Sequence, residues 1–355
     1  MGRFEVSKAG FEEHRVVPVA KRELLDGEVR LAIDFFAFTA NNMTYAVAGD
    51  MLNYWQFFPV QDDPDFGVIP VWGFADVVES RSDDLAVGER LYGYFPPADE
   101  LIIQPVNASK GHIFDGSAHR QSLSPLYNRY VRVPPGGNRD AERLQALLWP
   151  LYMTGYCIWD QLVENDWYGA TQVVVLSASS KTSLGLAQAI ADGGPAPKVV
   201  GVTSASNAGF VRETGLYDEV ISYDDVASIA AVPTTVVDMA GNRATADALR
   251  AALGDQLQYF ISVGLTHWDK GGDGPGSQQP GHEFFFAPTY MLERAKAMEP
   301  GEFARLTQSF VLEAAVKSAA WLTVTEVQGV EALAERYPAI RAGNMNPAEG
   351  LIIKV

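Results

Sequence analysis

The turn SASSKTS, residues 177–183, brings hydroxyl groups and a lysine to a place where a protein can hold a phosphate. It follows the apolar run 173–176, which is typical of a buried strand, and it leads into a helix-like segment. The N-terminus of a helix has unpaired N–H groups and a positive dipole end, so it attracts anions. The side chains that add donors or charge here are those of Ser179, Ser180, Lys181 and Thr182.

A second explanation of this turn stays open. Ser180 or Thr182 would also serve as the N-cap of a helix in a protein that binds no nucleotide. The order Ser180-Lys181-Thr182 resembles the end of a Walker A loop as well, but the glycines of that loop are absent.

The next strand candidate, residues 199–202, ends in the neutral stretch TSASN. An NAD site has Asp or Glu at this position to accept the ribose hydroxyls. A 2′-phosphate meets no carboxylate here and can take hydrogen bonds from Ser204 and Ser206, with Lys181 and Arg212 as nearby cations. The sequence therefore favours NADPH over NADH.

Metal chemistry has little support in the sequence. Cys157 is the only cysteine, which excludes an internal disulfide and a site with several cysteines. The five histidines show no ligand spacing, and His282-Glu283 lacks the second histidine of an HExxH motif. We expect no metal site, and we expect Cys157 to be a core residue.

Composition limits the partners. The chain has 355 residues, 47% of them hydrophobic and 20% charged, which predicts two globular domains. The net charge of −17 opposes binding to nucleic acid and to anionic membranes. There is no apolar run of roughly 18 residues and no secretion signal at the start, so we expect a cytoplasmic protein.

The elements that would position these residues fall into two groups. Short strand candidates at 29–34, 72–79 and 91–95 suggest a small barrel, and residues 107–124 read as a long loop. After residue 163, strands and helices alternate as in the βαβ units of a doubly wound parallel sheet. A last strand at 350–355 implies that the chain returns to its first domain.

Five further motifs occur along the chain. They are FTANNMTYAVAG at 38–49, VGERLYG at 87–93, PLYMTGY at 150–156, DMAG at 238–241 and SVG at 262–264. Their order and spacing resemble the zinc-free, quinone-oxidoreductase-like branch of the medium-chain dehydrogenase/reductase superfamily. The sequence also resembles a divergent group of that superfamily, DUF2855.

The resemblance implies a fold and a cofactor site. It implies an α/β protein with a GroES-like β-rich catalytic domain at 1–152 and 288–355, and a Rossmann-type domain with a doubly wound parallel sheet at 153–287, which binds NADPH. In the family the first turn reads GAAGGVG, and each of its glycines is replaced here. The positions that match cofactor-lining residues of the family are Thr154, Tyr223, Gly241 and Gly264.

The resemblance also implies a reaction, namely hydride transfer to an enone, quinone or related conjugated carbonyl. Tyr45 matches a tyrosine that faces the nicotinamide and can donate a proton, and Asn41 can orient the substrate carbonyl. An aromatic substrate pocket of Trp55, Tyr94 and Tyr152 would suit an apolar or aromatic carbonyl compound. Reduction of a simple ketone or aldehyde, and a cofactor-free binding or scaffold protein, remain as alternatives.

Members of the family that this sequence resembles often dimerise through the edges of their nucleotide-domain sheets. The corresponding edges here are residues 260–263 or 284–286, and three phenylalanines stand at the second of them. An open apolar edge promotes aggregation, so we expect a homodimer that covers it.

Overall fold

The structure is a computed structural model that describes residues 2–239, 241–263 and 281–355. Its strands are β1 (Gly2–Ser7), β2 (His14–Pro18), β3 (Val29–Phe38), β4 (Phe66–Gly67), β5 (Val71–Ser80), β6 (Arg90–Phe95), β7 (Glu100–Ile103), β8 (Pro105–Val106), β9 (His112–Asp115), β10 (Arg129–Val133), β11 (Gln172–Leu176), β12 (Lys198–Thr203), β13 (Glu219–Ser222), β14 (Thr234–Asp238), β15 (Leu257–Ser262), β16 (His282–Phe284), β17 (Thr323–Gln328) and β18 (Glu349–Lys354).

Helices connect many of these strands. The α-helices are α1 (Ala40–Val47), α2 (Pro125–Asn128), α3 (Arg139–Glu164), α4 (Lys181–Asp192), α5 (Ala208–Glu213), α6 (Arg243–Leu253), α7 (Ala287–Ala297), α8 (Glu302–Ser318) and α9 (Val330–Arg341). Short 3₁₀ helices lie at Tyr54–Gln56, Ala118–Arg120, Asp166–Gly169, Tyr223–Ser228 and Gly254–Gln256. No helix in the described ranges is both long enough and apolar enough to cross a bilayer.

The chain divides into two compact units, and the first consists of Met1–Leu147 and Thr323–Val355. One of its sheets has the strand order β2-β1-β4, and the other has the order β17-β18-β3-β5-β6-β10-β9-β8, with β7 also paired to β3. The C-terminal strand β18 is antiparallel to β3, which confirms that the chain returns to its first unit.

The second unit, Leu148–Leu322, contains a parallel sheet in the order β13-β12-β11-β14-β15-β16. Strand β11 is buried on both faces, because Val173 and Val175 enter one hydrophobic core while Val174 and Leu176 enter another. Residues of α4 and α6 complete the two cores, so helices cover both faces. This is the doubly wound arrangement that the alternation of strands and helices predicts.

The division of the chain differs from the expected one. We placed the second boundary before residue 288, whereas the structure places α7 and α8 in the second unit, up to Leu322. The physical reason is burial, since Ala287 and Phe303 share one core with Val175 of the parallel sheet. The first boundary lies within α3, after Leu147 and not after residue 152.

The expected loop at 107–124 was also wrong in part. It contains β9 and a 3₁₀ helix, and a buried ion pair joins the two: Arg120 lies 3.1 Å from Asp115, with side chains 1% and 2% exposed. Such a pair orders a segment that has no hydrophobic periodicity.

Close contact between α3 and α4 sets the position of the helix that follows the SASSKTS turn. A Cβ atom added to Gly155 would lie 2.5 Å from the backbone nitrogen of Leu186, and one added to Gly185 would lie 2.7 Å from the ring of Tyr152. Both glycines let the two helices approach more closely than side chains would allow.

We therefore expect Gly155→Ala to lower the free energy of unfolding by about 1–3 kcal/mol, because the added methyl group meets backbone that has no room to move. The measurement is urea unfolding followed by circular dichroism. Gly209→Ala in α5 is the control, since a Cβ there meets no atom within 4 Å. Equal stability of the Gly155→Ala and wild-type proteins would contradict the close helix packing.

Candidate functional site

The turn between β11 and α4 begins with a residue in the left-handed backbone region. Ser177 has a φ of 60°, although it carries a Cβ atom. This conformation costs an ordinary L-residue about 1–2 kcal/mol, and glycine adopts it without that cost. Ser177 thus keeps a backbone shape typical of glycine at the first glycine position of the family turn.

Two tyrosines hold this turn in place. The hydroxyl of Tyr217 donates to the carbonyl oxygen of Ala178 at 3.1 Å. The hydroxyl of Tyr223 is hydrogen-bonded to the backbone and the side chain of Ser177. Burial raises the pKa of Tyr223 to about 12, although the bonds from Ser177 act in the opposite direction. The phenol therefore stays neutral at physiological pH.

Ser179 is oriented by the strand and loop next to it. Thr203 Oγ1 and Asn207 Nδ2 both donate to Ser179 Oγ, at 3.1 and 3.2 Å. A serine hydroxyl has two acceptor sites and one hydrogen. With both acceptor sites used, Ser179 has its own hydrogen left to donate to an anion.

Ser180 is the N-cap of α4, which is the role that the second explanation from the sequence gives to Ser180 or Thr182. Its Oγ accepts from the backbone nitrogen of Ser183 at 3.2 Å, and the helix begins at Lys181. Lys181 and Thr182 are half-buried in the first turn. Capping occupies the Ser180 side chain but leaves other N–H groups of this first turn without a helical acceptor.

A pocket of about 430 Å³ opens beside the ends of β12 and β13. Its residues are Ala205, Ala208, Arg212, Val220, Ile221, Ser222, Asp225 and Ser228. Of the predicted cofactor residues only Arg212 lines it, while Ser204 and Ser206 stand on either side of Ala205 and lie 2.9 Å apart, Oγ to Oγ. The pocket thus adjoins the neutral loop where the sequence predicts a 2′-phosphate.

The remaining predicted cofactor residues are spread through the second unit. Gly241 has a φ of 70°, and its backbone nitrogen donates to Asp238 Oδ1 at 3.0 Å, which forms the expected turn after β14. Thr154 donates its hydroxyl to the carbonyl oxygen of Pro150 within α3, at 2.9 Å. Gly264 lies outside the described residues.

Tyr45, the predicted proton donor, is a buried residue of α1 in the first unit. Its hydroxyl oxygen receives a hydrogen bond from Trp72 Nε1 at 3.1 Å and is also bonded to the side chain of Asn41, one helical turn earlier. Burial raises the pKa of Tyr45 to about 12, while these two bonds lower it. The phenol keeps its proton at neutral pH. The sequence predicted Asn41 and Tyr45 separately, and the structure joins them.

The aromatic residues of the predicted substrate pocket are buried. Trp55, Tyr94 and Tyr152 are 6%, 0% and 1% exposed. Trp55 packs against Gly49 and Gly67, and the hydroxyl of Tyr152 lies 2.5 Å from Ser318 Oγ. Tyr94 belongs to an aromatic cluster around Tyr45, whose other members are Tyr54, Tyr92, Tyr127 and Trp72. Their assignment to a substrate pocket stays a prediction.

Sequence reasoning missed Trp72 as a partner of Tyr45, and it missed the pocket residues Ser222 and Asp225. Trp72 is 27 positions from Tyr45, so only the pairing of strands could reveal the contact. Asp225 stands three residues beyond β13, and the spacing of Ser222 and Asp225 is the one signal that could have drawn notice, as a local side-chain turn.

Burial raises the pKa of the Cys157 thiol, as expected of a core cysteine. Across the residues that the structure describes, no group of three or more His, Cys, Asp or Glu side chains is placed to hold a metal ion. Zinc independence stays a prediction.

Comparison with known proteins bears on the whole chain. Residues 36–346 match the family described as "Protein of unknown function (DUF2855)". No curated protein matches the sequence. Among solved structures, CurA from Vibrio vulnificus in complex with NADPH is 14% identical with a TM-score of 0.64, and the match covers 100% of this chain and 99% of CurA.

Two other structures match over 100% of both chains. Mycobacterial Rv1454c complexed with NADPH is 14% identical with a TM-score of 0.61. The yhdH oxidoreductase from Salmonella enterica in complex with NADP is 15% identical with a TM-score of 0.56. These likenesses confirm the expected fold, with a β-rich GroES-like unit and a Rossmann-type unit.

The left-handed backbone of Ser177 predicts an unusual order of stabilities. We expect Ser177→Gly to be more stable than Ser177→Ala by about 1 kcal/mol, because both lose the side-chain hydroxyl and only glycine relieves the strain. Chemical denaturation of both variants measures the difference. The pair Ser206→Gly and Ser206→Ala, at an exposed position without a positive φ, is the control and should not favour glycine. The same order at both positions would argue against strain at Ser177.

Proposed function

The chain belongs to the DUF2855 family, and from this premise we propose that it is a zinc-independent, NADPH-dependent reductase of an enone, quinone or related conjugated carbonyl. The observation that supports this most is the backbone of Ser177, which keeps the left-handed shape of a glycine although the glycine is gone. A turn that served only to cap α4 would have no need of such a costly conformation.

The fit of a dinucleotide to the second unit can be argued from its side chains. Ser179 has a hydroxyl hydrogen to donate, and its oxygen is turned towards Thr203 and Asn207. Ser180 and Ser183, two of the serines that replace glycines, have their hydroxyl groups hydrogen-bonded to each other at 2.8 Å. We assign the pyrophosphate to this turn and to Lys181, and the 2′-phosphate to Arg212 with Ser204 and Ser206.

Three of the structurally similar proteins, CurA, Rv1454c and yhdH, were solved with NADPH or NADP, which supports the same choice here. The end of β12 supports it independently. Thr203 is the last residue of this strand, and neutral residues follow up to Asn207, so no carboxylate at the strand end opposes a 2′-phosphate.

Bound NADPH supplies a hydride. In the proposed reaction, Tyr45 is the candidate donor of the proton. Its oxygen accepts from Trp72 and is bonded to Asn41, so the phenol group is fixed by two neighbours. Both bonds favour the phenolate, which makes the proton easier to release than burial alone would allow.

Other proposals concern substrate and assembly. The predicted pocket residues Trp55, Tyr94 and Tyr152 favour an apolar or aromatic substrate. Reduction of a simple ketone or aldehyde, the alternative reaction, would use the same donors of hydride and proton. We propose a homodimer formed through β16, which ends the described order of the parallel sheet. A cytoplasmic location stays a prediction.

Titration with NADPH and with NADH tests the cofactor site, with quenching of tryptophan fluorescence as the signal. We expect Lys181→Ala to weaken the binding of both nucleotides by roughly tenfold. Arg212→Ala should weaken the binding of NADPH alone, because only NADPH carries the 2′-phosphate. Lys198→Ala, which removes a surface lysine paired with Glu219, is the control. Failure of the wild-type protein to bind either nucleotide would refute the proposed function.

Tyr45→Phe tests the proton donor. We expect the rate of NADPH oxidation with 1,4-naphthoquinone or methyl vinyl ketone to fall on the order of 100-fold, with unchanged affinity for NADPH. Tyr54→Phe is a matched control, because it removes a buried phenol oxygen of the same cluster, bonded to Tyr127 at 3.0 Å. If both variants keep the wild-type rate, the proton comes from another group.

A further inference from the structure

The pocket beside β12 and β13 is lined by both apolar and polar residues. Ala208, Val220 and Ile221 supply carbon atoms, while Ser222 and Asp225 supply oxygen atoms. A volume of about 430 Å³ is ample for a flat heteroaromatic ring. The combination suits a ring that packs on the apolar residues and directs a polar edge to the oxygen atoms.

The polar residues of the pocket offer mainly acceptors, because the hydrogens of two hydroxyl groups are already used. Ser222 Oγ donates to Asp225 Oδ2 at 2.7 Å. Ser228 Oγ donates to the backbone oxygen of Asp225, also at 2.7 Å. The two serines thereby fix Asp225 and offer only lone pairs to a ligand. A ring edge that faces these oxygen atoms must carry N–H donors of its own.

Arg212 does not form an ion pair with the carboxylate of Asp225. Its guanidinium donates to the backbone oxygen of Val220 at 3.4 Å, and the structure shows no ion pair between Arg212 and Asp225, both of which lie within the described ranges. The pocket therefore presents one positive and one negative group that act separately. The positive group suits a phosphate, and the negative one suits an amino-substituted ring.

We propose that Asp225 is the specificity-determining residue for the nucleobase, and that its carboxylate accepts a hydrogen bond from the 6-amino group of adenine. The inference rests on the proposed use of NADPH, and it adds selection of the base to selection of the 2′-phosphate. Ser222 is the positioning residue, since its hydroxyl holds the carboxylate oxygen.

The test compares NADPH with reduced nicotinamide hypoxanthine dinucleotide phosphate, in which a carbonyl oxygen replaces the amino group. We expect wild-type protein to bind NADPH at least roughly tenfold more tightly, because the carbonyl oxygen would face a carboxylate. Asp225→Asn should reduce the ratio to about 1–2, since an amide can accept from the amino group or donate to the carbonyl. The readout is the dissociation constant from fluorescence titration.

Asp224→Asn is the matched control, because Asp224 is exposed like Asp225 but does not line the pocket, and it should keep the wild-type ratio. Equal affinity of wild-type protein for the two nucleotides would overturn the inference, even if the Asp225 variant fails to fold. An unchanged ratio in a folded Asp225→Asn protein would also overturn it. If wild-type protein binds no NADPH, the proposed function fails and the inference fails with it.

Discussion

The structure of the second unit depends on how the chain leaves β11. This strand lies between β12 and β14 and is buried on both faces, so the residue after it must turn at once to start a helix that also contacts α3. The left-handed conformation of Ser177 makes that turn, at a cost that Tyr217 and Tyr223 help to offset by hydrogen bonds. The positions of Ser179, Ser180 and Lys181 all follow from this one backbone angle.

Once the turn is fixed, local charge decides what it can hold. The chain carries a net charge of −17, so a doubly charged phosphate approaches against a long-range repulsion. Short-range donors must overcome it. The turn before α4 supplies the hydroxyl of Ser179, and the first residue of the helix supplies the charge of Lys181. Asp225 adds a negative group close to Arg212. In the proposed complex, the two opposite charges would face different groups of the same nucleotide.

The sequence predicted most of the parallel sheet, because a strand buried on both faces is a continuous apolar run, as in residues 173–176, and needs no partner to be identified. Long-range contacts were harder to predict from the sequence. The assignment of α8 to the second unit depends on Phe303 entering a core formed by distant strands, and the order of residues 107–124 depends on the pair of Arg120 and Asp115. For the site, residue types indicated Ser179 and Arg212, whereas the contact of Trp72 with Tyr45 arises only when α1 meets β5.

The two kinds of phenol in the first unit show why burial alone does not define a proton donor. Tyr54 and Tyr127 bond to each other, so one hydroxyl hydrogen is used inside the pair. Tyr45 instead accepts from the indole of Trp72, which can only donate, and it is bonded to Asn41 in the sense that lowers its pKa. The bond from Trp72 uses an acceptor site of Tyr45, so the phenol hydrogen is not used in that bond. In the proposed reaction, this hydrogen is the one that Tyr45 would donate to the carbonyl compound.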